Sequence, residues 1–415
     1  MDYVGIDVAK DFHVVTIIND NEVKYYKKAF IVTNSVDGYK LLIERLDKVS
    51  TVVSNFIIGI EATGIYGENL IEFLKEMGYN VKLLNPFQTK NYRERVTMKR
   101  VKNDSIDSHM IALFLKDGKY SSGYITDDEY QGLRTLYRNR DSIMNDMKNL
   151  KKRILTNLAV TFPEFEKFTD PFTKVGLALL DKYPTAHHYK HSSVDRIVNV
   201  FRHIQGNNFN NEKALKLLEL SKVSVYSGKA KDARAIAIRS SIRLLKFYLE
   251  EIDTLEQEIY KLLDGYKTSD TLNENEENKV QENTLVKNLT SIPGVAYKTI
   301  AAFISECGDL KRFSTPTKLI GYLGLFPTEN SSGNSKSVGH LSKRGSSKVK
   351  HALYMSATSC LIHNPELKQL YDAKKSQGKS NKEALIAVSR KLALIIYAIV
   401  KYNVPYNPNR VFSKS

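Results

Sequence analysis

At 415 residues and 42% hydrophobic content the chain is long enough for two or three domains with real cores. Its 62 Lys and Arg against 46 Asp and Glu give a net charge of +16 and a pI near 9.4, which points to a polyanionic partner, nucleic acid first. Two distant cysteines, Cys307 and Cys360, exclude a disulfide framework or a zinc site; the absence of an apolar leader and the interruption of the most apolar run, 384–400, by Ser389, Arg390 and Lys391 argue against secretion or a membrane span, so a cytoplasmic location is expected.

The chain opens with Tyr3-Val-Gly-Ile-Asp7-Val-Ala-Lys10, an apolar, β-branched run that reads as a buried strand with one carboxylate inside it. Phe12 to Asn19 and Val23 to Thr33 follow as strands around a turn at Asn19-Asp20-Asn21, then a helix over Asn34 to Asp47. Phe56 to Ile60 is a fourth strand ending at Glu61, Tyr66 to Met77 a helix stopped by Gly78, Val81 to Leu84 a fifth strand closed by Asn85-Pro86, and Ser105 to Leu115 a helix. Three strands in meander followed by alternating helices and strands is the order of an α/β, RNase H-like fold with a mixed sheet.

The acids fall at telling places in that order. Asp7 lies inside the first strand, Glu61 at the end of the fourth, and Asp104 and Asp107 three residues apart on one face of the last helix. An ionised Asp in an apolar strand is costly unless it is paired or holds a metal. Singly, Asp104 and Asp107 read as a cap and a first-turn acid, and Glu61 as a strand-end surface residue. Together the four fit hard divalent cations, Mg²⁺ or Mn²⁺, and two-metal phosphodiester cleavage. The basic stretch from Arg93 to Lys102, with Arg95, Lys99 and Arg100, reads as a loop that brings a phosphate backbone to the acids; alone it would be a solvated charge run.

In the middle, Leu133, Leu136, Ile143, Met147, Leu150, Ile154 and Leu158 form a narrow apolar seam with Arg140 at one position, and Ile238 to Leu262 forms a second. Such coiled-coil-like helices pair within the chain or between protomers. Pro163 to Asn211 reads as a polar insertion in which His187, His188 and His191 are surface residues, and Thr268 to Asn283 as a flexible linker. The expected domains are 1–125, 126–267 and 285–415, with 268–284 as the linker.

The last part is read as mainly helical. Ile292-Pro293-Gly294-Val295 leads into a helix in the manner of a helix-hairpin-helix turn. A long polar loop from Pro327 to Gly345 follows, of a length that marks functional or disordered segments. Two helices come next, Lys348 to Ile362 and Ser380 to Lys401, the second opened by a Ser380/Glu383 capping box, and then a frayed tail from Asn403.

Three N-terminal stretches, Gly5-Ile6-Asp7-Val8-Ala9-Lys10, Glu61-Ala62-Thr63-Gly64-Ile65-Tyr66 and Lys102-Asn103-Asp104-Ser105-Ile106-Asp107, join three C-terminal ones, Ile292 to Val295, Ser332-Gly333 and Leu341-Ser342-Lys343-Arg344-Gly345. With these the chain resembles the DEDD-type transposases of bacterial insertion sequences, the one-hundred-and-ten group, whose first domain is similar to RuvC-type junction resolvases. The resemblance implies Mg²⁺ on Asp7, Glu61, Asp104 and Asp107. It also implies a serine nucleophile before glycine, Ser332, with Ser331 and Ser335 close by. Further implications are a site composed of the acids and the serine loop, double-stranded DNA and a structured guide RNA as partners, and a homo-oligomer, dimer or tetramer. Lys343 and Arg344 join Arg93, Arg95, Lys99, Arg100 and Lys102 as nucleic-acid-binding candidates.

Two other readings stay open on the sequence. One is a junction-resolving or repair endonuclease that uses the acids alone. The other is a non-catalytic nucleic-acid-binding protein, for which the acids are dispensable and the basic residues are not.

Overall fold

In the computed structural model the chain divides into two units, Met1–Thr126 and Asp127–Ser415. The described residues are 1–61, 64–96, 103–120, 122–123, 127–264, 284–326, 331–332, 335–336 and 341–410. The expected linker and the basic positions Lys99, Arg100 and Lys102 lie outside them.

The first unit runs β1 (Asp2–Val8), β2 (Phe12–Asn19), β3 (Phe30–Thr33), α1 (Val36–Asp47), β4 (Phe56–Glu61), α2 (Glu68–Glu76), β5 (Asn80–Leu84), α3 (Pro86–Val96), α4 (Asp104–Lys116) and β6 (Ser122–Gly123). Its sheet has the order β3-β2-β1-β4-β5-β6. β1 is antiparallel to β2 and parallel to β4, which is parallel to β5. This is the mixed RNase H-like sheet that the element order predicted. Alternation along the strands sends Val4, Ile6, Ile58 and Ile60 into one core with Leu42, Leu46, Leu70 and Leu74 of α1 and α2. A second core on the opposite face gathers Ile111, Phe114 and Leu115 of α4.

The α4 face is built on missing side chains. A Cβ on Gly5 would stand 2.0 Å from the Ser108 carbonyl oxygen and 2.5 Å from the Ala112 nitrogen, and one on Gly59 2.6 Å from Leu115 Cδ1. The helix therefore lies against the two central strands at a distance only glycine permits. A hydroxyl pair, Thr16 Oγ1 and Ser108 Oγ at 2.8 Å, ties it to β2.

Two expectations for this unit are corrected. The third strand is confined to Phe30–Thr33. The Asn19 side chain accepts from the backbone of Asn21 and Val23, Glu22 takes φ +64°, and Lys24 makes one bridge to Ile18 before the lysine-rich stretch departs. Arg93 and Arg95 belong to the last turns of helix α3, not to a loop. Asn85 Oδ1 accepts from Phe87 N and Pro86 occupies the first helical position, so Asn-Pro starts a helix as well as closing a strand.

Among its described residues the second unit is helical apart from one small hairpin. It runs α5 (Asp128–Thr161), α6 (Phe165–Phe168), α7 (Lys174–Lys182), α8 (Ala186–Lys190), α9 (Val194–Phe201), α10 (Asn211–Val223), α11 (Lys231–Asp264), α12 (Thr284–Thr290), α13 (Tyr297–Cys307), α14 (Pro316–Leu323), β7 (Ser331–Ser332), β8 (Ser335–Lys336), α15 (Ser347–His363), α16 (Pro365–Ser376) and α17 (Asn381–Tyr402). The two seam helices α5 and α11 pack on each other within the chain. Arg140 in the seam meets Glu256, Nη2 to Oε1 2.6 Å, and Lys298 reaches the other carboxylate oxygen at 2.9 Å. Arg140 and Glu256 are mostly buried. Glu256→Ala strands the guanidinium, so urea unfolding is expected to show a loss of about 2 kcal/mol.

Residues 163–211 are not simply polar. The short helices α6 to α9 close a core of Phe162, Phe165, Leu179, Leu180, Tyr189, Ile197 and Phe201 against α5 and α11. None of the four exceeds nine residues, too few turns to display a 3.6-residue period. His187 and His188 are half-buried and His191 is exposed.

Downstream, three helices stand where two were expected: α16 opens at Pro365, capped by Asn364 Oδ1 on Leu367 N. The Ser380/Glu383 capping box forms. The tail is docked at Tyr406, whose N donates to Ser291 Oγ at 2.8 Å and whose hydroxyl accepts from Asn364 Nδ2 at 3.0 Å. Burial pushes the Cys307 thiol up to about 12 and the Cys360 thiol to about 11, which removes thiolate chemistry at neutral pH. Among the described residues no helix is long and apolar enough to cross a membrane.

Candidate active site

Asp7 and Glu61 are brought to one place by strand register. β1 and β4 pair in parallel with Ile6 beside Ile60, so one step further Asp7 stands beside Glu61 at the strand ends. Each lies two residues beyond a glycine that α4 covers, Gly5 and Gly59, and therefore shares that face. Ser108 sits over Gly5; Asp107 directly precedes it on α4 and Asp104 lies one turn before it, both in the first turn of the helix. Asn103 caps this helix, its Oδ1 accepting from Ser105 N at 2.9 Å. Asp104 is exposed and Asp107 half-buried.

Helix α3 supplies partners to two of the acids. Thr89 Oγ1 donates to Glu61 Oε1 at 2.7 Å, and one turn later Arg93 Nη1 pairs with Asp107 Oδ1. Tyr92 fixes the helix: its hydroxyl donates to Asp117 Oδ2 at 2.7 Å and its ring lies 4.8 Å from Phe114. Arg95 is exposed on the same helix. The donor set is all carboxylate oxygen, the chemistry of a hard divalent cation, and a guanidinium already rests on Asp107. Among the described residues no group of three or more His, Cys, Asp or Glu side chains is in ligating arrangement.

The residues that flank the serine-rich stretch on either side meet in the second unit and form a narrow foot. Ser342 N donates to Phe326 O at 3.1 Å, and Lys350 Nζ donates to Ser342 O at 3.0 Å and Arg344 O at 2.7 Å. A Cβ on Gly324 would lie 2.1 Å from Arg344 O, and one on Gly345 2.5 Å from Leu323 O; both glycines have φ near +70°. Burial lowers the Lys350 pKa. Beneath the foot, Arg138 holds Glu306 with Nε to Oε1 at 2.9 Å and Nη2 to Oε2 at 3.1 Å. Burial alone would raise this carboxyl, but the Arg138 hydrogen bonds and charge, helped by Arg134 and Ser346, leave it below its ordinary value. Ser332 falls on β7, paired with Ser335 of β8. Gly333 lies outside the described residues. Lys343 and Arg344 are exposed at the foot.

A DEDD-type transposase family model matches residues 4–163, and the model of the IS116/IS110/IS902 transposase family matches 286–372. Between them they span the sheet with its acids, helix α5, and the lobe that carries the serine loop. The chain belongs to the IS110 family of transposases. The IS110 element's own uncharacterized 43.6 kDa protein of Streptomyces coelicolor is 34% identical over 113 residues, 27% of this chain and 28% of that one. A pilin gene-inverting protein of Moraxella bovis is 31% identical, covering 29% and 38%. The transposase for insertion sequence IS1111A of Coxiella burnetii is 31% identical, covering 26% and 31%. The matches thus span only about a third of these relatives' length. A solved structure of T. thermophilus RuvC with a Holliday junction aligns at a TM-score of 0.19 with 14% identity, over 30% of this chain and all of the other.

Neither IS110-type model reaches residues 164–285, where α6 to α11 lie. Two contributors to the sites escaped sequence reading. Thr89 was hidden because α3 was read as strand end plus loop, although Asn85-Pro86 was the signal that could have found it. Lys350 carries no signal in the sequence beyond its place near the start of a helix, and only the two carbonyls converging on it give it a role.

Proposed function

We propose that this IS110-family chain is a DNA recombinase that cleaves and rejoins strands of its own element, with Asp7, Glu61, Asp104 and Asp107 holding Mg²⁺, or Mn²⁺ in its place, and Ser332 as nucleophile. What supports the reading most is the register of β1 and β4, which sets Asp7 and Glu61 at neighbouring strand ends under helix α4, in a chain whose two matched segments are both transposase models. When bound, the cation supplies Lewis-acid stabilisation of the charge that builds on phosphate and leaving oxygens. The chain's own residues do the rest. The Ser332 hydroxyl gives up its proton and attacks phosphorus, the Ser–O–P bond forms as the sugar–oxygen bond to phosphorus breaks, and the departing oxygen takes a proton. The linkage conserves the phosphodiester energy for rejoining to a second strand.

Arg93, Arg95, Lys99, Arg100 and Lys102 of the first unit and Lys343 and Arg344 of the second are assigned to nucleic-acid backbones, in keeping with the +16 charge. A structured guide RNA is assigned as the sequence-reading partner, since backbone contacts of this kind carry affinity without sequence. A homo-oligomer, dimer or tetramer, acting in the cytoplasm completes the reading.

The test is strand cleavage on DNA carrying the element's end. Ser332→Ala is expected to abolish both cleavage and a denaturation-resistant protein–DNA adduct. Cleavage retained in Ser332→Ala but lost in Asp7→Ala would return the chain to the acid-only endonuclease.

A further inference from the structure

Helix α3 offers one more step, which rests on the cation reading above. Thr89 and Arg93 are one helical turn apart, hence on one face, and each engages a different acid, Glu61 and Asp107. The two contacts differ in kind. A neutral hydroxyl donates to a carboxylate without cancelling its charge. A guanidinium is itself a cation, and Arg93 and Asp107 retain only 21% and 17% of their side-chain exposure, so the pair is shielded from solvent screening. The backbone of α3 is held independently by Tyr92 on Asp117 and Phe114, so the Arg93 side chain can leave Asp107 without moving its helix.

We infer that Arg93 is a positioning residue that acts as a placeholder: its guanidinium neutralises Asp107 until a divalent cation takes that carboxylate, and the displaced guanidinium then binds a DNA phosphate. No bond to hydrogen changes hands, since one positive group replaces another on the carboxylate and the guanidinium keeps its protons. The arrangement couples two events. Cation uptake must displace Arg93, so affinity is lower than the acids alone would give, and the displaced charge becomes available to the substrate only once the site is loaded.

Two measurements on the full chain test this. Titration calorimetry with Mn²⁺ is expected to show Arg93→Gln binding about fivefold tighter than wild type, the worth of a partly buried ion pair. Lys90→Gln, which removes a charge at an exposed position of the same helix, controls for net charge and is expected to change little. Equal or weaker binding by Arg93→Gln, or equal tightening in Lys90→Gln, overturns the placeholder role. If neither wild type nor Arg93→Gln takes up Mn²⁺, the cation reading itself falls. The second measurement is the salt dependence of DNA binding with and without Ca²⁺. Wild type is expected to gain about one phosphate contact in the slope when Ca²⁺ is present and Arg93→Gln none. A wild-type slope indifferent to Ca²⁺ overturns the hand-over to phosphate.

Discussion

Asp7→Asn is expected to lower strand cleavage about a thousandfold or more at saturating Mg²⁺ while leaving the fold intact. The substitution keeps the shape of the side chain and the register of β1, in which Asp7 faces Val14 across β2 and follows Ile6 beside Ile60. What it removes is a charge next to Glu61. In metal-free buffer the thermal midpoint of Asp7→Asn is expected to stay close to that of wild type, because the substitution is isosteric and keeps the strand register. Adding Mn²⁺ is expected to raise the wild-type midpoint and not the variant's. A variant that melts early would mean that Asp7 is structural, and one that cleaves at the wild-type rate would remove the acids from the chemistry.

The second large effect concerns a residue with no chemistry of its own. Gly5→Val is expected to prevent the first unit from folding, read as loss of soluble chain and of protease resistance over residues 1–126. The atoms in the way are backbone, Ser108 O at 2.0 Å and Ala112 N at 2.5 Å from the new Cβ, and neither can rotate aside. Even Gly5→Ala forces α4 off the sheet, which breaks the Thr16 to Ser108 hydroxyl contact and lifts Asp104 and Asp107 away from Asp7. Gly5→Ala is therefore expected to lose cleavage beyond its loss of stability, while Gly132→Ala, where nothing lies within 4 Å of the new carbon, is expected to lose neither. The conservative variant at Gly5 thus separates a packing role from a site-building one.

The sequence made the sheet legible because its central strands are continuous apolar runs. Val4, Ile6, Ile58 and Ile60 have no exposed surface, and a run of that kind has one reading whatever surrounds it. The places of Asp7 inside the first strand and Glu61 at the end of the fourth were legible for the same reason, as charges interrupting a strong pattern. The seam of α5 and α11 was visible as periodicity, but its partner was not, because an apolar stripe does not say which stripe covers it. Helix α3 was missed where two signals compete: Asn85-Pro86 ends one element and starts the next, and eleven residues with only Tyr92 buried show no amphipathic stripe. The core under Tyr189 was missed because short helices arrange apolar residues in space without arranging them in sequence.

The foot of the serine loop has a consequence for how such chains can diverge. Phe326 and Ser342 are joined, the Leu323–Gly324 and Arg344–Gly345 backbones cross in contact, and Lys350 caps the two carbonyls. Tethering both ends at a fixed origin makes the enclosed length nearly neutral to stability, because each doubling of a closed segment adds only about 0.6 kcal/mol of closure entropy. A chain built this way can lengthen or shorten the stretch between the anchors, and with it the reach of Ser332, so long as two glycines and one lysine stay where they are.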